Sequence, residues 1–97
     1  MVDFRVITRE RISPTTATGF TATYIPPTQK RTIYVRIQAL NGDIWYNTDG
    51  TTATSSAGLK LPENSVVEIW TEPAMRNFSC IDDGDGADLE CKYMGVS

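Results

Sequence analysis

Thr32-Ile-Tyr-Val-Arg-Ile-Gln-Ala-Leu40, then Asn41-Gly42, then Asp43-Ile-Trp-Tyr-Asn-Thr48, carries the clearest strand and turn signals in the chain. Ile33, Val35, Ile37 and Ala39 alternate with Thr32, Tyr34, Arg36 and Gln38, the period-two pattern of a strand with one face in a core. Asn-Gly is the strongest short signal for a two-residue hairpin, because both residues tolerate positive φ. Such a turn would pair Leu40 with Asp43, Ala39 with Ile44 and Ile37 with Tyr46. Ile44 and Tyr46 then join the core face, and Trp45 lies on the opposite face beside Gln38, open to a covering layer or subunit.

Outward from this segment the same period recurs, and no window holds a helical stripe. Val2 to Thr8 alternates Val2, Phe4 and Val6 with charged Asp3 and Arg5. A loop follows from Arg9 to Gly19. Phe20 to Ile25 alternates again and ends at Pro26-Pro27, which cannot donate to a ladder. Beyond residue 48 a polar run of Thr, Ser, Ala and Gly leads to Leu59-Lys-Leu61, expected to tuck both leucines inward. Strands are then expected at Ser65 to Thr71, Asn77 to Ile81 and Asp88 to Met94. The sum is seven strands and no helix, an all-β antiparallel β-sandwich or jelly roll. The 13 threonines fit that bias, since β-branched residues favour strands.

With 97 residues and 40% hydrophobic composition there is room for one core, and so for a single domain. Within it, residues 1–30 read as an extended N-terminal arm or outer strands, and residues 31–97 as the sandwich core. A net charge of −3 hides a division. Residues 1–36 hold six basic side chains against two acidic ones, whereas residues 61–97 hold two basic against eight acidic. This polarity suits packing between like subunits or onto a larger acidic surface. The partner-contact candidates are Phe4, Arg5, Arg9, Arg11, Tyr24 and Arg31 in the basic front, with Trp45 and Trp70 farther on.

The chemistry available is narrow. There is no histidine, which removes the commonest general base and metal ligand. Asp83, Asp85 and Asp88 sit among glycines and are the candidates for a divalent cation. Their spacing fits no EF-hand frame, and Asp-Gly pairs serve equally as hairpin turns. Cys80 and Cys91 would face each other across a turn centred on Asp85-Gly86. Directly opposed strand positions strain a bridge, so the reading favours two small buried hydrophobes over a disulfide. No catalytic residue and no cofactor is assigned. The start, Met-Val-Asp-Phe-Arg, lacks the plan of a signal peptide, and no apolar run nears the roughly 18 residues that span a bilayer, so synthesis in a cytosol and no membrane partner are expected. The acidic total argues against nucleic acid.

From Arg31 to Gly95 the order of features resembles the small β-sandwich virion proteins of tailed bacteriophages, the capsid decoration or cement type. The residues that carry the likeness are Thr32-Ile-Tyr-Val-Arg-Ile-Gln38, the aromatic Ile44-Trp-Tyr46, the polar Thr/Ser/Gly loop, and Gly58-Leu-Lys-Leu-Pro-Glu-Asn-Ser65 ahead of Val66-Val-Glu-Ile69. Where such turns often carry glycine after the proline, this chain has Glu63-Asn64. The resemblance implies a non-enzymatic protein on the capsid surface, a homotrimer that binds the major capsid protein and stabilises its lattice. The alternatives are a head-to-tail or tail-fibre component, and a small binding module for carbohydrate or single-stranded nucleic acid.

Overall fold

The computed structural model describes residues 3–55, 58–84 and 86–96, so Val2 and Asp85 lie outside the described residues. Seven strands form two antiparallel sheets. The first has the order β1-β7-β2-β5, from β1 (Phe4–Ile12), β7 (Asp88–Val96), β2 (Thr32–Leu40) and β5 (Val66–Ile69). The second has the order β4-β3-β6, from β4 (Leu59–Leu61), β3 (Ile44–Asn47) and β6 (Ser79–Asp82). The all-β sandwich of seven strands is therefore as the alternation predicts.

The core lies between the sheets. Val35, Ile37 and Ala39 of β2 and Leu89, Cys91 and Tyr93 of β7 are fully buried, and so are Ile44 of β3 and Cys80 of β6. Phe20 and Phe78 stack at 4.0 Å among the same buried residues. Each such aliphatic or aromatic side chain contributes about 1.5–3 kcal/mol by leaving water, so the central strands anchor the fold.

The expected hairpin is corrected. Asn41 (φ 63°) and Gly42 (φ 142°) do take positive φ, but the turn carries the chain from one sheet to the other, and β2 and β3 do not pair. The flanks of β2 are filled by β7 and β5 instead, with β7 matched from Thr32 to Leu40. Crossing over puts the apolar face of β2 against that of β3, which buries both faces; a hairpin would lay them side by side. Asn64, in the turn after β4, adopts φ 69° in the place where glycine is common, a conformation asparagine tolerates better than most residues.

Five further expectations are corrected. Phe20 to Ile25 is no strand. Ala22–Tyr24 forms a 3-10 turn instead, because the Glu10 carboxylate accepts from the Thr21 amide (3.2 Å) and hydroxyl (2.7 Å), satisfying locally what a ladder would otherwise satisfy. The chain is not helix-free: α1 spans Glu72–Arg76, capped by the Thr71 hydroxyl, which accepts from the Ala74 amide at 3.2 Å. Pro73 suits a first helical turn, where its missing N–H costs nothing. Ile33 is exposed because the register with β7 shifts between Thr32 and Tyr34, and Leu59 is exposed at the end of a short strand. Finally, β1 runs through the segment read as a loop, as far as Ile12, in register with β7 down to Leu89.

Candidate docking face

Alternation along the four-stranded sheet sends one set of side chains away from the core. The register aligns them in rows across the sheet: Val6, Met94 and Tyr34; then Arg9, Lys92, Arg36 and Glu68; then Arg11, Glu90, Gln38 and Val66. The first row is apolar and is completed by Trp70, just beyond β5, whose ring stacks on Tyr34 at 4.2 Å. Phe4 meets both rings edge-on, at 5.2 Å from Tyr34 and 5.7 Å from Trp70. Tyr34 is buried beneath this pair, while Phe4, Val6 and Trp70 remain exposed.

The second row is cationic. Arg9, Lys92 and Arg36 are direct cross-strand neighbours, an arrangement of like charges that weakens a sheet unless something compensates. Glu68 compensates at one end, accepting from Arg36 Nη2 at 3.1 Å and from Trp70 Nε1 at 3.1 Å. The Trp70 indole N–H, and after it the Arg36 guanidinium, hold the Glu68 carboxyl below its usual range. One row on, Arg11 Nε donates to Glu90 at 3.0 Å. Arg36, Gln38, Val66, Glu90 and Lys92 line a dimple of about 30 Å³. That is about a tenth of the smallest clefts that enclose small-molecule ligands, so the face offers contact area rather than a pocket.

The partner-contact candidates separate into groups. Phe4, Arg9, Arg11 and Trp70 come together on this face. Arg5 and Arg31 are exposed at the end of the sandwich where β1 begins, Arg5 opposite Gly95 in register and the Arg31 carbonyl beside the same glycine. Tyr24 turns to the core side and packs on Tyr93 at 5.3 Å. Trp45 belongs to the other sheet, half-buried, its Nε1 donating to Asp83 at 2.8 Å and Lys60 Nζ lying 5.5 Å from its ring centre. Val6, Tyr34, Arg36, Glu68, Lys92 and Met94 escaped the sequence reading. The missing signal is the pairing of β1 with β7, strands from opposite ends of the chain.

The acidic residues gather at the far end, where β2 finishes and β7 begins. Asp43, Asp82, Asp83 and Asp88 each hold a partner. Asp43 accepts from the Glu63 amide at 2.8 Å and lies 3.3 Å from Lys60 Nζ. The amide, and then Lys60, lower its pKa. Asp82 accepts from the Gly84 amide at 3.0 Å, and Asp88 from the Ser13 hydroxyl at 2.7 Å. Among the described residues no three His, Cys, Asp or Glu side chains are grouped to hold a metal ion.

The two cysteines occupy different sheets, Cys80 on β6 and Cys91 on β7, and both are free and buried. Burial pushes the Cys80 thiol up to about 12, and raises Cys91 as well, so at neutral pH neither presents a thiolate. The chain matches no protein-family model, no curated protein and no solved structure.

Proposed function

We propose that the chain is a non-enzymatic structural protein of a tailed-phage virion, a capsid decoration protein that binds the major capsid lattice and stabilises it. The observation that carries the assembly part of this reading is the outer face of the four-stranded sheet, where half-exposed aromatic rings adjoin a row of three cations. Exposed apolar surface bordered by charge marks interaction sites. Several groups that catalysis could recruit are engaged elsewhere: the thiols are buried and protonated, and Asp43, Asp82, Asp83, Asp88, Glu68 and Glu90 each hold an internal partner. The virion assignment itself rests on the resemblance of Arg31 to Gly95, and the sandwich is the architecture that resemblance implies.

The test is to quantify the chain by mass spectrometry on purified phage heads, and to compare the heat resistance of heads made with and without it. A fixed ratio to the major capsid protein, and earlier rupture of heads lacking the chain, are expected. Absence from heads overturns the reading, and presence on tails alone moves it to the head-to-tail or tail-fibre alternative. A second reading is favoured by Trp70 and Phe4 beside Arg36 and Lys92, which is also how sugar or single-stranded nucleic acid is held on a sheet. A glycan array and a salt-dependent oligonucleotide titration separate it, because a decoration protein gives no signal in either.

A further inference from the structure

We propose that the outer face of the four-stranded sheet is a two-fold interface between two copies of this chain. This rests on the assembly reading and gives that face to a second copy of the chain, leaving the capsid lattice to the surfaces the dimer still exposes.

Self-complementarity is the argument. The order β1-β7-β2-β5 has its midline between β7 and β2. A two-fold axis along that midline, in the plane of contact, lays β1 over the partner's β5 and β7 over its β2, and returns every cross-strand row onto itself. The apolar row then meets an apolar row, with Val6 against the partner's Trp70. The charged row meets itself in reverse order, so that Arg9, which has no ion pair among the described residues, lies over the carboxylate of the partner's Glu68. In the third row Glu90 falls on the amide of Gln38. The like-signed contact, Lys92 over Arg36, is flanked by Glu68 and Glu90, whose carboxylates offset it.

The distribution of apolar surface points the same way. Seven large hydrophobic residues are exposed among the described residues, and Phe4, Val6, Val66, Trp70 and Val96 of that seven lie on this face. The extent is also adequate. Three nine-residue strands and the four-residue β5, about 4.8 Å apart and rising about 3.3 Å per residue, give a flat footprint of roughly 500 Å². Side chains standing out from the sheet bring the accessible surface above that flat area, toward the roughly 800 Å² per partner that stable interfaces bury. Sheets facing each other in this way pack with their strands nearly aligned, which keeps the rows in register near the axis.

The experiment is sedimentation equilibrium of the full chain over a range of concentrations, with far-UV circular dichroism to confirm that each variant is folded. Wild type is expected at the mass of two copies. Val6→Lys, which sets a cation in the apolar row, is expected to raise the dimer dissociation constant about tenfold or more. Arg9→Glu and Glu68→Arg should each weaken the dimer by about tenfold, and the double variant should recover most of the loss because the pair is reversed on both sides of the axis. Monomer at every concentration overturns the interface. So does a three-copy mass, or a dimer indifferent to all of these variants. Binding of dT oligonucleotide or heparin by a monomeric chain reassigns the cationic row to a polyanion and overturns it as well. A monomeric chain that is nonetheless found on phage heads sinks the interface and leaves the decoration reading standing.

Discussion

Tyr93 and Glu10 join the two ends of the sequence through one polar contact. The Tyr93 hydroxyl donates to the Glu10 carboxylate, which also takes both donors of Thr21. Burial, and then this bond, raise the Tyr93 pKa. The contact thus ties an outer strand, the central strand β7 and the turn after Gly19 to one carboxylate. Tyr93→Phe is expected to cost about 1.5–3 kcal/mol, the value of a hydrogen bond to a charged group. That loss reads as a Tm lower by roughly 4 °C or more in calorimetry. An unchanged Tm would mean that water replaces the hydroxyl without loss. Nothing local in the sequence marks this pair, since the residues are 83 positions apart and each has an ordinary neighbourhood. Val35, Ile37 and Ala39 were legible, because alternation is a property of neighbours.

At the scale of elements, strand existence was easier to read than strand partnership. Thr32–Leu40 and Asp88–Val96 carry long apolar alternations and are strands, whereas the shorter Phe20–Ile25 pattern yields to the capture of Thr21 by Glu10. The charged residues of Arg9–Ile12 masked the second half of β1. On an edge strand, charges on the outward face are ordinary and discourage pairing with other chains. Both β1 and β2 shift register where they meet the end of β7, and Gly95 lies at that point. A Cβ there would overlap the Ile7 side chain and the Arg31 carbonyl, the second of which is backbone and cannot swing aside. Gly95→Ala should therefore cost about 1–3 kcal/mol as an overpacked contact, measured as a lower urea midpoint with an unchanged slope. A neutral result would show that the two irregularities leave slack. Because β1 is matched to β7 along its whole length, removing residues 1–12 would strip the flank of a central strand, so surface substitutions probe docking more cleanly than truncation does.

For the whole molecule, the buried acids set a limit at high pH. Cys80, Cys91, Tyr46 and Tyr93 all have raised pKa values, each chiefly through burial. Their neutral forms persist in the fold where the unfolded chain has already released the protons. The stability they lend is whole below the unfolded thiol value of 9.0, falls as pH rises beyond it, and is lost for Cys80 by about 12. Urea midpoints should be level from pH 7 to 8.5 and drop steadily from 9 to 11, with a shallower drop in the Cys80→Ala, Cys91→Ala double variant. A flat profile to pH 11 would show that the thiols are not held in a dry core. The β class, the apolar faces of β2 and β3, and the basic front and acidic rear follow from the sequence alone, since periodicity and charge are written in neighbouring residues. Tertiary structure alone decided that Asn41-Gly42 turns a corner between sheets, that the cysteines part company, and that Phe4, Tyr34 and Trp70 meet on one face beside Arg9, Lys92 and Arg36. The reason is physical: strand partners are chosen by which pairing buries the most apolar surface with its backbone bonds satisfied, and that choice weighs the whole chain at once.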